Sequence, residues 1–190
     1  MYFSAEMVRE TERRYGQPKL LRLNYPTPRE HYDFIRSTQK KDRAHDVTLY
    51  LYHENRLAVT RKPMYPEGAY RPPSGGLNPG ESLEEGAERE GLEELGLRIK
   101  LDRYLLRVRV DFVCGDRRIR WTTHVFRTQL AESGMARLEP QDRHEIVEAI
   151  WTTEKDFFGP MRRGLLALGS TGLLYRVHLH DYMWRVFGWG

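Results

Sequence analysis

The glutamate-rich segment 81–94 constrains the fold of this chain more than any other part of the sequence. It contains seven glutamates and one basic residue. Ser82 followed three residues later by Glu85 forms a capping box, the pattern that starts a helix, and Gly96 supplies the left-handed residue that ends one. We therefore expect a helix from about Leu83 to Leu95.

Three of these glutamates favour a specific chemistry. Glu90, Glu93 and Glu94 are spaced i, i+3 and i+4, so a helix places them on one face within reach of a common ion. Adjacent carboxylates repel one another, and a divalent cation that prefers oxygen ligands offsets the repulsion. The preceding segment 71–80 is rich in proline and glycine and is expected to present backbone carbonyls from an irregular loop. The simpler alternative is a solvated acidic helix without a ligand.

The charge elsewhere in the chain bears on this choice. The net charge is +4, and outside residues 81–94 the chain carries 30 basic and 20 acidic residues. A basic protein that encloses one acidic cluster provides a cation site within a field that attracts phosphates. The hydrophobic fraction of 39% is too high for a disordered chain.

The spacing of the fixed residues extends the pattern beyond the helix. It reads G-x5-E-x7-R-E-U-x-E-E-x-G-U, where U is a bulky aliphatic residue. The fixed positions are Gly75, Glu81, Arg89, Glu90, Glu93, Glu94 and Gly96. This pattern resembles the signature of the Nudix hydrolase superfamily. The first U position holds Gly91, a departure that removes no carboxylate.

The resemblance implies an α+β fold, an α/β/α sandwich of the Nudix type with a mixed sheet, here with extra helices at both termini. We divide the chain into a helical N-terminal extension, residues 1–44, and a Nudix-like hydrolase domain, residues 45–190, that includes the C-terminal helices. Expected strands are Val47–Tyr52, Leu57–Thr60, Arg103–Cys114, Arg117–Gln129 and Ile146–Trp151, and expected terminal helices are Ser4–Tyr15, Arg29–Ser37, Thr153–Leu168 and Leu173–Phe187.

The resemblance also implies an activity. Similar proteins hydrolyse a nucleoside diphosphate linked to another moiety, and water activated by Mg²⁺ or Mn²⁺ breaks the phosphoanhydride. Carried onto this sequence, the metal ligands are Glu90, Glu94 and the backbone carbonyl of Ser74. Glu93 is either a third ligand or the base for the water. Arg89 is expected to hold a neighbouring glutamate in place, although a plain surface ion pair would also explain it.

A further acid is expected from the loop before the last strand. Glu145 is the best candidate for an additional ligand or for the base, and Glu139 and Asp142 are alternatives. The candidates for contact with the substrate phosphates are Arg61, Lys62 and Arg71, which flank the loop before the helix. Tyr70 is a candidate for stacking on a base. The sequence leaves the nucleotide derivative itself open.

A second class of function is a non-catalytic Nudix-fold module that senses a nucleotide or regulates a partner. Basic C-terminal helices and the helical N-terminal arm motivate it, although such modules often lose a metal carboxylate and this chain retains all of them. The expected partner is a small nucleotide, with no membrane and no nucleic acid, and the N-terminal arm can add homodimer contacts. The single cysteine, Cys114, suits a reducing compartment, so we expect a cytoplasmic protein.

Overall fold

The computed structural model describes residues 4–39, 43–132 and 137–189. Its strands are β1 (Lys19–Pro26), β2 (His45–His53), β3 (Arg56–Arg61), β4 (Ser74–Gly76), β5 (Ile99–Cys114), β6 (Arg117–Leu130) and β7 (Glu148–Thr152). Its helices are α1 (Ala5–Tyr15), α2 (Arg29–Thr38), α3 (Leu83–Leu95), α4 (Glu154–Asp156), α5 (Arg162–Ala167) and α6 (Thr171–Phe187), with a π-helical turn (Phe157–Met161) between α4 and α5.

The strands form one mixed seven-stranded sheet in the order β1-β5-β6-β2-β3-β7, and β4 pairs with β2 beside this path. β1 runs parallel to β5, and β2 runs parallel to β6, whereas the other pairs are antiparallel. Helices cover both faces: α3 packs on one face through Leu83, Ala87 and Leu95, and α2 and α6 pack on the other. The expected α+β sandwich with a mixed sheet is confirmed.

The predicted helix and its caps are confirmed in α3. The Ser82 hydroxyl accepts a hydrogen bond from the Glu85 amide at 3.1 Å, the Glu85 carboxylate closes the capping box, and Gly96 ends the helix at φ 71°. Gly91 lies against β5, where an added Cβ would stand 2.7 Å from the Ile99 side chain. This close approach accounts for a glycine at a motif position that is otherwise aliphatic.

The N-terminal segment differs from the expectation of a wholly helical arm. Both predicted helices are present, but β1 lies between them and pairs with β5 from Lys19–Leu106 to Pro26–Val113. The apolar side chains of β1, Leu21, Leu23 and Tyr25, pack in the same core as α2 and α6. The segment therefore contributes an edge strand to the main sheet, and the boundary at residue 44 stays a prediction.

The C-terminal region also differs in detail. The single helix expected over Thr153–Leu168 is divided into α4, the π-helical turn and α5, and Pro160 lies inside the turn. Proline lacks the amide that a continuous α-helix needs, which explains the interruption. In the part of the chain that the structure describes, no helix is long and apolar enough to span a membrane.

Candidate metal and active site

The candidate site lies where the Pro/Gly-rich loop crosses the edge of β2 and meets α3. The loop is tied to both neighbouring strands: the Thr60 amide donates to the Arg71 carbonyl at 2.8 Å, and the Leu49 amide donates to the Pro73 carbonyl at 2.9 Å. β4 then continues the pairing with β2, Ser74 opposite Thr48. These backbone hydrogen bonds fix an otherwise irregular segment and hold the Ser74 backbone next to α3.

Gly75 allows the first close contact between this loop and α3. A Cβ at residue 75 would lie 1.7 Å from Oε1 of Glu90, closer than any two heavy atoms can approach without a bond. The Glu90 carboxylate therefore occupies the space that a side chain at residue 75 would fill. Glu90 is 6% exposed, and its position against the loop depends on a glycine in β4.

Glu94 is the most enclosed of the predicted ligands, at 2% exposure. Its Oε2 accepts hydrogen bonds from the Ser74 amide and from the Thr60 hydroxyl, both at 3.1 Å. Oε1 is buried without a hydrogen-bond partner, and the Arg71 guanidinium lies 3.6 Å away. A buried carboxylate oxygen without a hydrogen bond lowers the stability of the folded protein, and a bound cation would offset this loss.

Arg89 organises the other carboxylates. Its Nε donates to Oε1 of Glu81 at 2.7 Å, and Nη1 donates to Glu90 at 2.6 Å and to Glu93 at 2.9 Å. Nη2 also donates to the Gly76 carbonyl at 3.1 Å, which links the helix to the loop. Arg89 is therefore paired with three glutamates, of which Glu93 is the expected i,i+4 partner, and its part in catalysis stays a prediction.

Burial dominates the acid–base properties of the two enclosed glutamates. It raises the pKa of Glu90 to about 7, with a further rise from the nearby Glu94 charge and an opposing effect of Arg89. Burial likewise raises the pKa of Glu94, and the Arg71 charge opposes the rise. A divalent cation would oppose both shifts, because it favours the ionised carboxylates.

The three motif carboxylates do not share a preformed cage. Glu90 and Glu94 are buried against the loop, whereas the side chain of Glu93 is 45% exposed and shares the Nη1 of Arg89 with Glu90. Within the described residues, no group of three His, Cys, Asp or Glu side chains is arranged to hold a metal ion. The expectation that all three converge on one point is therefore not met.

The donor chemistry nevertheless fits a hard divalent cation. Two buried carboxylates and the Ser74 carbonyl are oxygen donors of the kind that Mg²⁺ and Mn²⁺ prefer, and Oε1 of Glu94 lacks a hydrogen bond. Mg²⁺ usually keeps water and substrate phosphate among its ligands, so two or three protein oxygens suffice. The residues present fit the predicted ion.

Glu145 lies at the rim of this site. The loop before β7 docks on the carboxyl end of α3, where the Gln141 amide donates to the Glu93 carbonyl at 2.9 Å. The exposed Glu145 carboxylate forms an ion pair with Lys62. Of the alternatives, Asp142 accepts from the His144 and Glu145 amides and so shapes the loop, and Glu139 pairs with Arg137. Glu145 is thus the most accessible of the three acids to the site.

Three of the predicted substrate contacts differ in accessibility. Arg61 is partly exposed and its guanidinium lies 3.3 Å from Glu148. The Tyr70 hydroxyl donates to the same carboxylate at 2.5 Å, and Tyr70 is 6% exposed. Arg71 is 4% exposed and faces Ser74 and Glu94 instead of solvent. Burial thus argues against direct contact of Arg71 and Tyr70 with a substrate.

Two residues of the site have no place in the sequence motif. Thr60 is fully buried at the end of an apolar strand and bonds to Glu94, and Lys62 pairs with Glu145. A polar residue that ends the run Leu57–Val59 was a signal for Thr60, because a buried hydroxyl needs a partner. Lys62 is a candidate for phosphate contact from its place beside the loop, but its pairing with Glu145 has no signal in the sequence, because the two residues are 83 positions apart.

Comparison with known proteins assigns the chain to a family. The family model for the NUDIX domain matches residues 41–168 of the 190. A search of curated proteins gave no match. Solved structures with a similar chain path include an ADP-ribose pyrophosphatase from Streptococcus suis, at 15% identity and TM-score 0.46, with 77% of this chain and 96% of that chain covered.

Two further solved structures show the same degree of similarity. A MutT NUDIX hydrolase from Burkholderia pseudomallei has 24% identity and TM-score 0.46, with 67% of this chain and 97% of that chain covered. A UDP-X diphosphatase has 17% identity and TM-score 0.44, with 79% and 72% covered. Because these TM-scores lie below 0.5, the family assignment depends on the domain match and not on the solved structures. The chain belongs to the Nudix family.

Proposed function

We propose that this protein is a metal-dependent pyrophosphohydrolase that cleaves the phosphoanhydride of a nucleoside diphosphate linked to another moiety. The observation that carries the proposal is the pair of buried carboxylates, Glu90 and Glu94, packed against the Ser74 loop with Oε1 of Glu94 lacking a hydrogen bond. If α3 were only a structural acidic helix, its carboxylates would lie in solvent and would not pack against a loop.

The ion-binding residues are Glu90, Glu94 and the backbone carbonyl of Ser74, and the cofactor is Mg²⁺ or Mn²⁺. When bound, the ion acts as a Lewis acid that polarises phosphate oxygens and lowers the pKa of water. The protein orients the metal ligands before an ion binds, since the Thr60 hydroxyl and the Ser74 amide donate hydrogen bonds to Glu94. Arg89 orients Glu90 in the same way.

The proton of the attacking water requires a base near the rim. Glu145 is exposed and adjacent to the site, and Glu93 is half-exposed, so either carboxylate can receive the proton while the bridging P–O bond breaks. We assign this role to Glu145, which lies at the rim beside Lys62, and keep Glu93 as the alternative, because Glu93 shares Arg89 with Glu81 and Glu90. Protonation of the Glu145 carboxylate would weaken its ion pair with Lys62.

Two cations at the rim are suited to the substrate phosphates. The side chains of Lys62 and Arg61 are 19% and 23% exposed, and each pairs with a carboxylate that a phosphate can displace. Arg61 ends β3 and Lys62 follows it, next to Thr60, which contacts Glu94. Phosphates bound there would lie beside the proposed metal ligands, which matches the requirement that charge be neutralised where it develops.

A substrate panel tests this proposal. The protein is incubated with Mg²⁺ and nucleotide sugars, dinucleotides and modified nucleoside triphosphates, and the release of mononucleotide or pyrophosphate is measured. We expect turnover of at least one compound, its abolition by a chelator, and a loss of about 1,000-fold in kcat/KM for Glu90→Gln. Arg118→Gln, which removes an exposed ion pair with Asp111, serves as the control and should retain activity.

Two results would contradict the proposal. Turnover of no compound in the panel would favour the alternative of a nucleotide-sensing module, especially if a nucleotide still binds. Turnover that persists in Glu90→Gln and in Glu94→Gln would show that the activity does not depend on the α3 carboxylates.

A further inference from the structure

Arg71 is an unusual residue for its position. It lies in a loop rich in proline and glycine, where arginine side chains are commonly solvated, yet it is 4% exposed. Its backbone is fixed by reciprocal hydrogen bonds with Thr60, at 2.8 and 3.1 Å. The side chain therefore enters the interior from a backbone that cannot shift without breaking the pairing between the loop and β3.

The guanidinium of Arg71 contacts two of the proposed metal-binding groups. Nη1 donates to the Ser74 hydroxyl and to the Pro72 carbonyl, the latter at 3.1 Å. Nη1 and Nη2 reach the Ser74 carbonyl at 3.5 and 3.4 Å, and Nη2 lies 3.6 Å from Oε1 of Glu94. A single planar group thus spans the loop and the helix at the point where the Ser74 carbonyl and Glu94 meet.

The charges of two arginines and four glutamates give Arg71 a second role; the glutamates are Glu81, Glu90, Glu93 and Glu94. Arg89 pairs with three glutamates, whereas Glu94 is paired with Arg71. When all four carboxylates are ionised, the two guanidinium groups leave two negative charges, the charge that one divalent ion neutralises. Without Arg71, the buried Glu94 carboxylate would lose the guanidinium that lies 3.6 Å away, and removal of one partner of a buried ion pair is strongly destabilising.

We propose that Arg71 is a positioning residue of the metal site: its guanidinium holds the Ser74 carbonyl and the Glu94 carboxylate in the arrangement that receives a divalent ion. This inference depends on the proposed function for the identity of the ligands. It replaces direct substrate contact as the role of Arg71, because the side chain is enclosed and its donors face Ser74 and Glu94.

Metal binding without substrate tests the proposal. The concentration of free Mn²⁺ is measured by electron paramagnetic resonance while Mn²⁺ is titrated into the full-length protein. Removal of a residue that orients a metal ligand typically weakens binding by about 10- to 100-fold, so we expect a loss in this range for Arg71→Gln. Arg71→Lys keeps the charge but not the planar fork, and it should also bind more weakly.

Two further variants complete the design. Ser74→Ala removes the hydroxyl that Arg71 contacts but keeps the backbone carbonyl, so it should weaken Mn²⁺ binding by a smaller factor, about threefold. Arg162→Gln, which removes an ion pair with Asp181 on the C-terminal helices, is the control and should bind Mn²⁺ like the wild type. Circular dichroism checks that each variant is folded.

The contradicting results are specific. If Arg71 acts only as a competing positive charge, Arg71→Gln binds Mn²⁺ more tightly and Arg71→Lys binds like the wild type, and the proposal is wrong. If Arg71→Gln does not fold, unchanged affinity in both Arg71→Lys and Ser74→Ala overturns it. A wild-type protein that binds no Mn²⁺ contradicts the proposed function instead, which separates the two failures.

Discussion

At the scale of single residues, the site depends on how closely its loop approaches α3. Gly75→Ala should displace the Glu90 carboxylate, because the new methyl group would lie 1.7 Å from Oε1. A displacement of about 1 Å at a reacting centre can cost 100-fold in rate, so we expect a loss of at least this size in kcat/KM. Gly172→Ala is the matched control, since its added Cβ would meet only ordinary contacts at 3.7 Å or more. Equal activity in the two variants would show that Glu90 does not need its present position.

The same scale shows what the sequence reveals about the site. The spacing of Glu90 and Glu94 predicted that both side chains lie on one face of a helix, because residues three or four positions apart are neighbours on a helix surface. The sequence did not reveal that Arg71 is buried, since its partners Ser74 and Glu94 become neighbours only when the loop folds onto the helix. Glu93 also satisfies the spacing, but its side chain turns toward Arg89, which competes for it in the absence of a metal.

At the scale of secondary-structure elements, the N-caps allow a controlled test of the importance of α3. Ser82→Ala removes the N-cap hydrogen bond of a helix whose inner face belongs to the core, and loss of a cap costs about 1 kcal/mol. Ser4→Ala removes the corresponding bond from α1, in which Thr11 is the one buried residue. Urea unfolding should show a lower free energy of unfolding for Ser82→Ala and a smaller change for Ser4→Ala. A larger effect at Ser4 would contradict the central place of α3.

The elements also differ in how far they could be predicted. α3 was located to the residue because its capping box and terminal glycine are local signals. β1 was missed although Leu21, Leu23 and Tyr25 alternate with polar residues, because residues 1–44 were assigned to a helical extension. Its partner, β5, lies more than 80 positions away, and parallel pairing at that distance has no local signature.

At the scale of the whole molecule, the N-terminal segment is expected to be part of the fold. A chain that starts at Ala44 would lose β1, the Tyr25 and Tyr32 contributions to the core, and the Glu12–Arg107 ion pair. We expect a free energy of unfolding lower by several kcal/mol, since fully burying one large apolar side chain contributes about 2 kcal/mol. Unchanged stability would show that the N-terminal segment does not contribute to the stability of the fold.

Sedimentation of the full-length chain and of the chain that starts at Ala44 tests the predicted homodimer.

Stability should also depend on pH through three histidines, of which His124 and His180 are buried and His45 is half-buried. Burial lowers the pKa of His45 to about 4 and places those of His124 and His180 well below the ordinary value. The unfolded chain therefore binds protons below about pH 6.5 that these folded histidines do not bind, so their contribution to stability is present above this pH and is lost as the pH decreases. The raised pKa values of Glu90, about 7, and of Glu94 act in the opposite direction, because these folded carboxylates bind protons at a higher pH than the unfolded chain does. Each histidine contributes up to about 1.4 kcal/mol per pH unit.

Urea unfolding between pH 8 and pH 5 measures this dependence. His180→Gln should reduce the slope below pH 6.5, because the amide can still bond to the Tyr50 hydroxyl but does not titrate. A slope that His180→Gln leaves unchanged would contradict the neutral state assigned to this histidine.

The most direct test of the account compares two glutamates of the same helix. Glu94 bonds to the Ser74 loop, whereas Glu84 faces away from it and pairs with Arg14. With any substrate that the wild type turns over, we predict that Glu94→Gln lowers the Mg²⁺-dependent kcat/KM by about 1,000-fold and that Glu84→Gln changes it by less than about threefold. Similar rates for the two variants would contradict the claim that the buried face of α3 binds the ion that drives hydrolysis.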